Sequence, residues 1–127
     1  MDRYKNQADI LKAIAHPTRL AVLEILRGGE QCVCHMEATL GLRQATISQQ
    51  LMILRKEGLV QVRRDGLNIF YRVVKPQVYS LLDAARAVSG RRRPTIVHKH
   101  GPAKCPCPKC SAPSPLGRGG RRAEAVR

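Results

Sequence analysis

Pro17, the Gly28-Gly29 pair, Gly41, the Asp65-Gly66 step and Gly90 cut the first ninety residues into short segments. That punctuation limits the chain to short helices and a short hairpin sharing one core. Residues 4 to 15 carry Ile10, Leu11 and Ile14 at helical spacing and stop at His16-Pro17, because proline disfavours helix in the residue before it. Pro17 suits the first turn of a second helix, which runs to about Leu26 and ends at Gly28-Gly29. His16, beside that proline, reads as a packing or capping residue rather than a ligand.

The stretch EQCVCHMEATLG reads as a third short helix closed by Gly41. The next segment, LRQATISQQLMILRKEG, places Ile47, Leu51 and Leu54 in the i, i+4, i+7 pattern, with Gln44, Thr46, Gln49 and Lys56 on the opposite face. A short helix, a tight turn and a helix with a polar outer face outline a helix-turn-helix. Leu59 to Arg64 and Asn68 to Val74 are rich in Val, Ile, Phe and Tyr and meet across Asp65-Gly66, which predicts a β-hairpin placed as a wing. Residues 76 to 89 set Val78, Leu81, Leu82 and Ala85 on one face of a last helix, which predicts pairing with a second copy about a two-fold axis. The expected fold is mainly α with a β-hairpin wing, a homodimeric winged helix-turn-helix spanning residues 1–89.

Charge separates this domain from the rest of the chain. There are 23 Lys and Arg against nine Asp and Glu, a net charge of +14. Residues 1–89 hold thirteen of the basic and eight of the acidic side chains, so residues 90–127 hold ten and one. That last segment is rich in Pro, Gly and Arg with little apolar periodicity, and is expected to be disordered unless a ligand orders it. A balance so basic favours polyanions. Gln44, Thr46, Ser48 and Gln49 are the candidates for base-edge or phosphate contact, with glutamine suited to bidentate pairing with adenine. Arg63, Arg64 and Arg72 on the hairpin are placed to touch phosphate or a minor groove, and the Arg91-Arg92-Arg93 run would add nonspecific affinity. The expected partner is double-stranded operator DNA. No run of 18 apolar residues and no signal-peptide core occur in the sequence, so a cytoplasmic protein without a membrane partner is expected. No Gly-rich nucleotide loop, no βαβ alternation and no acid/base constellation argues for an enzyme.

The five cysteines cluster as Cys32/Cys34 and Cys105/Cys107/Cys110. Close clusters in a reducing compartment read as metal or redox sites rather than as a disulfide framework. Thiolates select soft ions, which points to arsenite, antimonite, cadmium, lead or copper(I) and away from magnesium or calcium. Around a regular helix, residues i and i+2 lie about 200° apart. Both sulfurs of Cys32 and Cys34 should then reach one ion only if the third helix locally unwinds, and that would couple binding to the DNA-reading unit. A helix N-terminus nearby also favours thiolate over thiol, which keeps redox sensing open. Cys105, Cys107 and Cys110, with His98 and His100 close by, form a trigonal site of their own or lend a third sulfur to Cys32 and Cys34. His35, adjacent to Cys34, is a further candidate ligand.

The segments AHPTRLAVLEIL, CVC, SQQLMILRKEGLV and RRDGLNIFYRV, in that order and spacing over about residues 5 to 88, resemble the ArsR/SmtB group of metalloregulatory winged-helix repressors. The resemblance implies a homodimer that binds its operator when metal-free and leaves it when an inducer binds. No constitutive cofactor is implied. Arsenite or antimonite is the expected inducer, with cadmium or lead, or thiol oxidation, as alternatives. Two departures stand out. Asp83 is followed by Ala84-Ala85, with no histidine before His98, so the interfacial site for harder metals found in many relatives is expected to be absent. Glu37 stands where some arsenite sensors supply a third cysteine.

Overall fold

The computed structural model describes residues 2–92. The tail beyond Arg92, with Cys105, Cys107, Cys110, His98 and His100, lies outside the described residues. Five helices and three short strands follow one another as α1 (Asp2–Ile14), α2 (Pro17–Leu26), β1 (Gln31–Cys32), α3 (Val33–Leu40), α4 (Gln44–Lys56), β2 (Val60–Asp65), β3 (Asn68–Val73) and α5 (Val78–Ser89). The strands make one antiparallel sheet in the order β1-β3-β2. This is the winged helix-turn-helix expected from the sequence, with β2 and β3 as the wing.

The helix limits have local causes. The His16 Nδ1 accepts the Thr18 N–H at 3.1 Å and Pro17 occupies the first turn of α2, so the expected cap and start coincide. α3 ends at Gly41, in the left-handed conformation with φ 68°, whose N–H returns to the Glu37 carbonyl at 2.8 Å. On α4, Ile47, Leu51 and Leu54 are fully buried, as their spacing demands. They meet Val22, Leu23 and Leu26 of α2, Met36 of α3, Leu59 and Val60 in one core.

The structure corrects the sequence reading in two places. Gln31 and Cys32 are not the first turn of a helix. They form β1 and pair with Tyr71 and Phe70 of β3, and α3 starts one residue later. A two-residue strand is too short to leave a period in the sequence, because its identity comes from the partner strand. The second difference concerns α5. Val78 and Leu82 close the core of their own chain, whereas Leu81, Ala85 and Val88 are exposed on a neighbouring stripe. The apolar face read from the sequence is thus two adjoining faces, and only one of them is free within a single chain.

α5 is fastened to α2 by polar contacts. The Tyr79 hydroxyl donates to the Leu23 carbonyl at 2.6 Å. Arg27 forms ion pairs with Glu24 at 2.7 Å and Asp83 at 2.9 Å, and its guanidinium lies 4.5 Å from the Tyr79 ring centroid. The Asp83 carboxyl is held below the ordinary carboxylate range, first by the hydrogen bond from Arg27 and further by one from Arg86. A depressed carboxylate stabilises the fold above its unfolded pKa of about 3.9, and that contribution disappears as pH falls through the folded value. Asp83→Asn should therefore lower the urea midpoint at pH 7 and differ less from wild type at pH 3. An equal deficit at both pH values would show that the carboxylate charge is not what ties α5 to α2.

Candidate thiol site and nucleic-acid interface

The short pairing of β1 places the two thiols side by side. Cys32 is extended, with φ −83° and ψ 158°, and is the N-cap of α3. Its Sγ accepts the His35 backbone N–H at 3.2 Å. One residue inside the helix, Cys34 turns its Sγ to within 2.6 Å of the Cys32 Sγ. The 200° separation expected for two helical residues does not arise, because Cys32 lies outside the helical spiral. Unwinding of α3 is not needed to bring the sulfurs together, and that part of the sequence reading is corrected. An N-capping sulfur that accepts a backbone N–H at the positive end of a helix is placed to carry negative charge.

Cys32 is buried and Cys34 half-buried. Cys32 and Phe70 form a small cluster apart from the main core, and Cys34 packs against it. On the other side the thiols border a cavity of about 150 Å³, whose walls include Glu37, Gln44, Leu67 and Ile69. The cavity therefore touches α3, the first residue of α4 and the turn of the wing. Among the described residues no cluster of three or more His, Cys, Asp or Glu side chains is placed to hold a metal ion. At this cavity Cys32 and Cys34 supply two sulfurs, with Glu37 in the wall beside them. Two thiols fit a soft trivalent or divalent ion as a bidentate pair.

Of the residues read from the sequence as DNA-facing, Gln44 and Gln49 are exposed at the start and middle of α4, and Thr46 and Ser48 are half-buried beside Ile47. Arg64 is exposed on the wing. Arg72 is exposed too and donates to Gln61 across the hairpin at 2.9 Å. Arg63 is engaged differently. Its Nε and Nη2 donate to the Glu30 carboxylate at 3.0 and 2.7 Å, and its guanidinium lies 4.7 Å from the Phe70 ring centroid. The Glu30 hydrogen bonds raise its pKa further above the range in which it could lose its proton. Sequence reasoning missed this arrangement, since Glu30 and Arg63 are far apart in the chain and meet only through the sheet. Arg19 of α2 donates to Gln50 of α4 at 3.0 Å, a polar tie between the two helices.

Comparison with known proteins agrees with this architecture. Residues 16–62 match the model of a family described as "Bacterial regulatory protein, arsR family". The chain is 43% identical over 81 residues to the biofilm growth-associated repressor of Agrobacterium fabrum, an overlap covering 64% of this chain and 69% of that protein. Its fold is similar to the crystal structure of NolR from Sinorhizobium fredii, with a TM-score of 0.65 and 33% identity over 72% of this chain and 91% of that one. A winged helix-turn-helix DNA-binding domain from Mycobacterium bovis, described as homodimeric, superposes with a TM-score of 0.62 and 26% identity over 74% of this chain and 92% of its own.

The turn between α3 and α4 is where the thiol site and the DNA-facing helix share backbone, and Gly41 sets it. A Cβ there meets open space, so the cost of a side chain is that of the left-handed conformation itself. Gly41→Ala should lower unfolding stability by about 1–2 kcal/mol in urea titrations. Unchanged stability would mean that the turn relaxes to another conformation.

Proposed function

Because this chain belongs to the arsR family of bacterial regulatory proteins, we propose that it is a transcriptional repressor that holds operator DNA as a homodimer and leaves it when arsenite or antimonite binds Cys32 and Cys34. The family and the relatives above are transcriptional regulators, not enzymes. The observation that carries the choice of inducer is the convergence of two thiols, one of them a helix N-cap, at 2.6 Å beside a small cavity. Arsenous acid loses one hydroxyl as water for each thiol that attacks it, so two As–S bonds form with release of two waters and arsenic stays trivalent. No electron donor or acceptor is required. Cys105, Cys107 or Cys110 would supply the third sulfur of a trigonal site, and three tail sulfurs could also form a site by themselves. The same sulfur pair also suits cadmium or lead, and closely placed thiols favour oxidation as the second reading.

Support for the dimer comes from α5 and α2. Leu81, Val88 and Leu20 are exposed apolar residues, and a groove of about 830 Å³ between the two helices is lined by Leu20, Ala21, Leu82 and Ala85. An apolar face of this kind suits a two-fold partner, and two copies would present two recognition helices to an inverted repeat. Within each half-site, Gln44, Thr46, Ser48 and Gln49 would read base edges or adjacent phosphates, and Arg64 and Arg72 would contact phosphate.

Duplexes selected from a random pool provide the operator. Cys32→Ser/Cys34→Ser should bind it like the wild type in the absence of ion, and should lose the release by arsenite, a factor of roughly 5- to 150-fold for couplings of this kind. Normal release of this variant, together with failure of a chain truncated after Gly90, would move the sensor to the tail. Neutralising Arg64 and Arg72 together should weaken binding to all duplexes alike and reduce the slope of log affinity against log salt by about 0.9 for each phosphate that is no longer neutralised. A loss confined to the selected sequence would instead make them base readers.

A further inference from the structure

The residues around Cys32 connect the thiol pair to the wing in a closed ring of contacts. Cys32 pairs with Phe70 in the β1–β3 ladder and forms a small buried cluster with it, against which Cys34 packs. Phe70 pairs in turn with Arg63 in the β2–β3 ladder, and the Arg63 guanidinium covers its ring. The remaining side of that guanidinium is held by both carboxylate oxygens of Glu30, two residues before Cys32 in the chain. Ligand site, ring, guanidinium and carboxylate thus close on one another, and three strands meet within the ring.

We propose that Glu30, Arg63 and Phe70 are positioning residues that transmit occupancy of the thiol pair to the wing. The proposal rests on the thiol-sensing reading above and names the route by which that site acts on DNA binding. A soft ion fixes its two sulfurs at the separation set by metal–sulfur bonds near about 2.3 Å and by its bond angles, and so puts a rigid bridge between two side chains that otherwise only touch. Cys32 has little freedom to yield, since its backbone is in the sheet and its sulfur takes the His35 N–H. Any shift of the sulfurs on ligation is therefore taken up against the Phe70 ring, the other buried side chain in the cluster. Close-packed interiors shift between discrete arrangements rather than deform continuously. A displaced ring moves the surface on which Arg63 lies, and with it the β2–β3 hairpin. Two of the five N–H donors of Arg63 are given to Glu30 and its face rests on the Phe70 ring, so its contribution to DNA binding is to orient the wing, whereas Arg64 and Arg72 meet the phosphates.

The test uses the full chain, the selected operator and Cd²⁺, a soft ion whose thiolate complexes absorb in the ultraviolet and so report sulfur ligation directly. Glu30→Gln and Arg63→Gln change exposed or half-exposed side chains and leave the core intact. Both should keep the cadmium–thiolate band and a DNA-free cadmium affinity within about 2-fold of wild type, while the ratio of operator affinities without and with cadmium falls to less than about a third of its wild-type value. Phe70→Leu should lower that ratio in the same direction. Wild-type ratios in Glu30→Gln and Arg63→Gln would overturn the route while leaving the sensor in place. Loss of the cadmium band in either variant would also overturn it, since the residue would then serve the site rather than its coupling. Wild-type protein that takes up cadmium, and arsenite in a parallel titration, at Cys32 and Cys34 without leaving the operator in either case would overturn both the route and the sensing reading.

Discussion

The pairing of Gln31 and Cys32 with Tyr71 and Phe70 is the interaction on which the functional geometry depends. It takes Cys32 out of the helical spiral and makes it the cap of α3, which turns a Cys-X-Cys sequence into two neighbouring sulfurs. The same pairing makes β3 the central strand of the sheet, bonded on both edges. A hairpin wing standing alone would hold its position only through its base, and isolated two-stranded ribbons are marginal in water. With β1 bonded to its far edge, the wing is registered against the start of α3, and therefore against the helix-turn-helix.

α5 illustrates how one short helix can serve two interfaces. Its Val78–Leu82 stripe and the Tyr79 hydroxyl close the core of the chain, and Asp83 meets Arg27 at the rim. The stripe next to it, with Leu81, Ala85 and Val88, remains on the outside. The polar ties matter because they set the rotation of α5 about its own axis. Without them the two apolar stripes, only a fraction of a turn apart, would compete for the same core.

The basic side chains separate by role in a way that their number does not reveal. Arg27 and Arg63 are locked into carboxylates and aromatic rings, Arg19 bridges α2 to α4, and Arg64 and Arg72 stand exposed on opposite faces of the wing. Guanidinium suits the first group because its planar fork meets a carboxylate with two parallel bonds while its face rests on a ring. Charge committed in this manner shapes the surface that the remaining charge presents to DNA.

Much of the fold was legible in the sequence. The stops at His16-Pro17, Gly28-Gly29, Gly41 and Asp65-Gly66 are backbone properties of single residues, and the i, i+4, i+7 spacing of Ile47, Leu51 and Leu54 is a property of one helix. Both kinds of signal are local, so the helices, the turn of the helix-turn-helix and the wing could be placed before any contact was known. That positions 32 and 34 carry a close pair of thiols was also legible, and the preference of such a pair for soft ions is a property of sulfur whatever the surrounding fold. Three features came only with the tertiary structure: the β1 strand, the nearness of the two sulfurs, and the Glu30–Arg63–Phe70 contacts. Each depends on strands that are distant in sequence being brought into register. Hydrogen bonding across that register, which no residue specifies alone, decided where the cysteines point and which arginine meets Glu30 and Phe70.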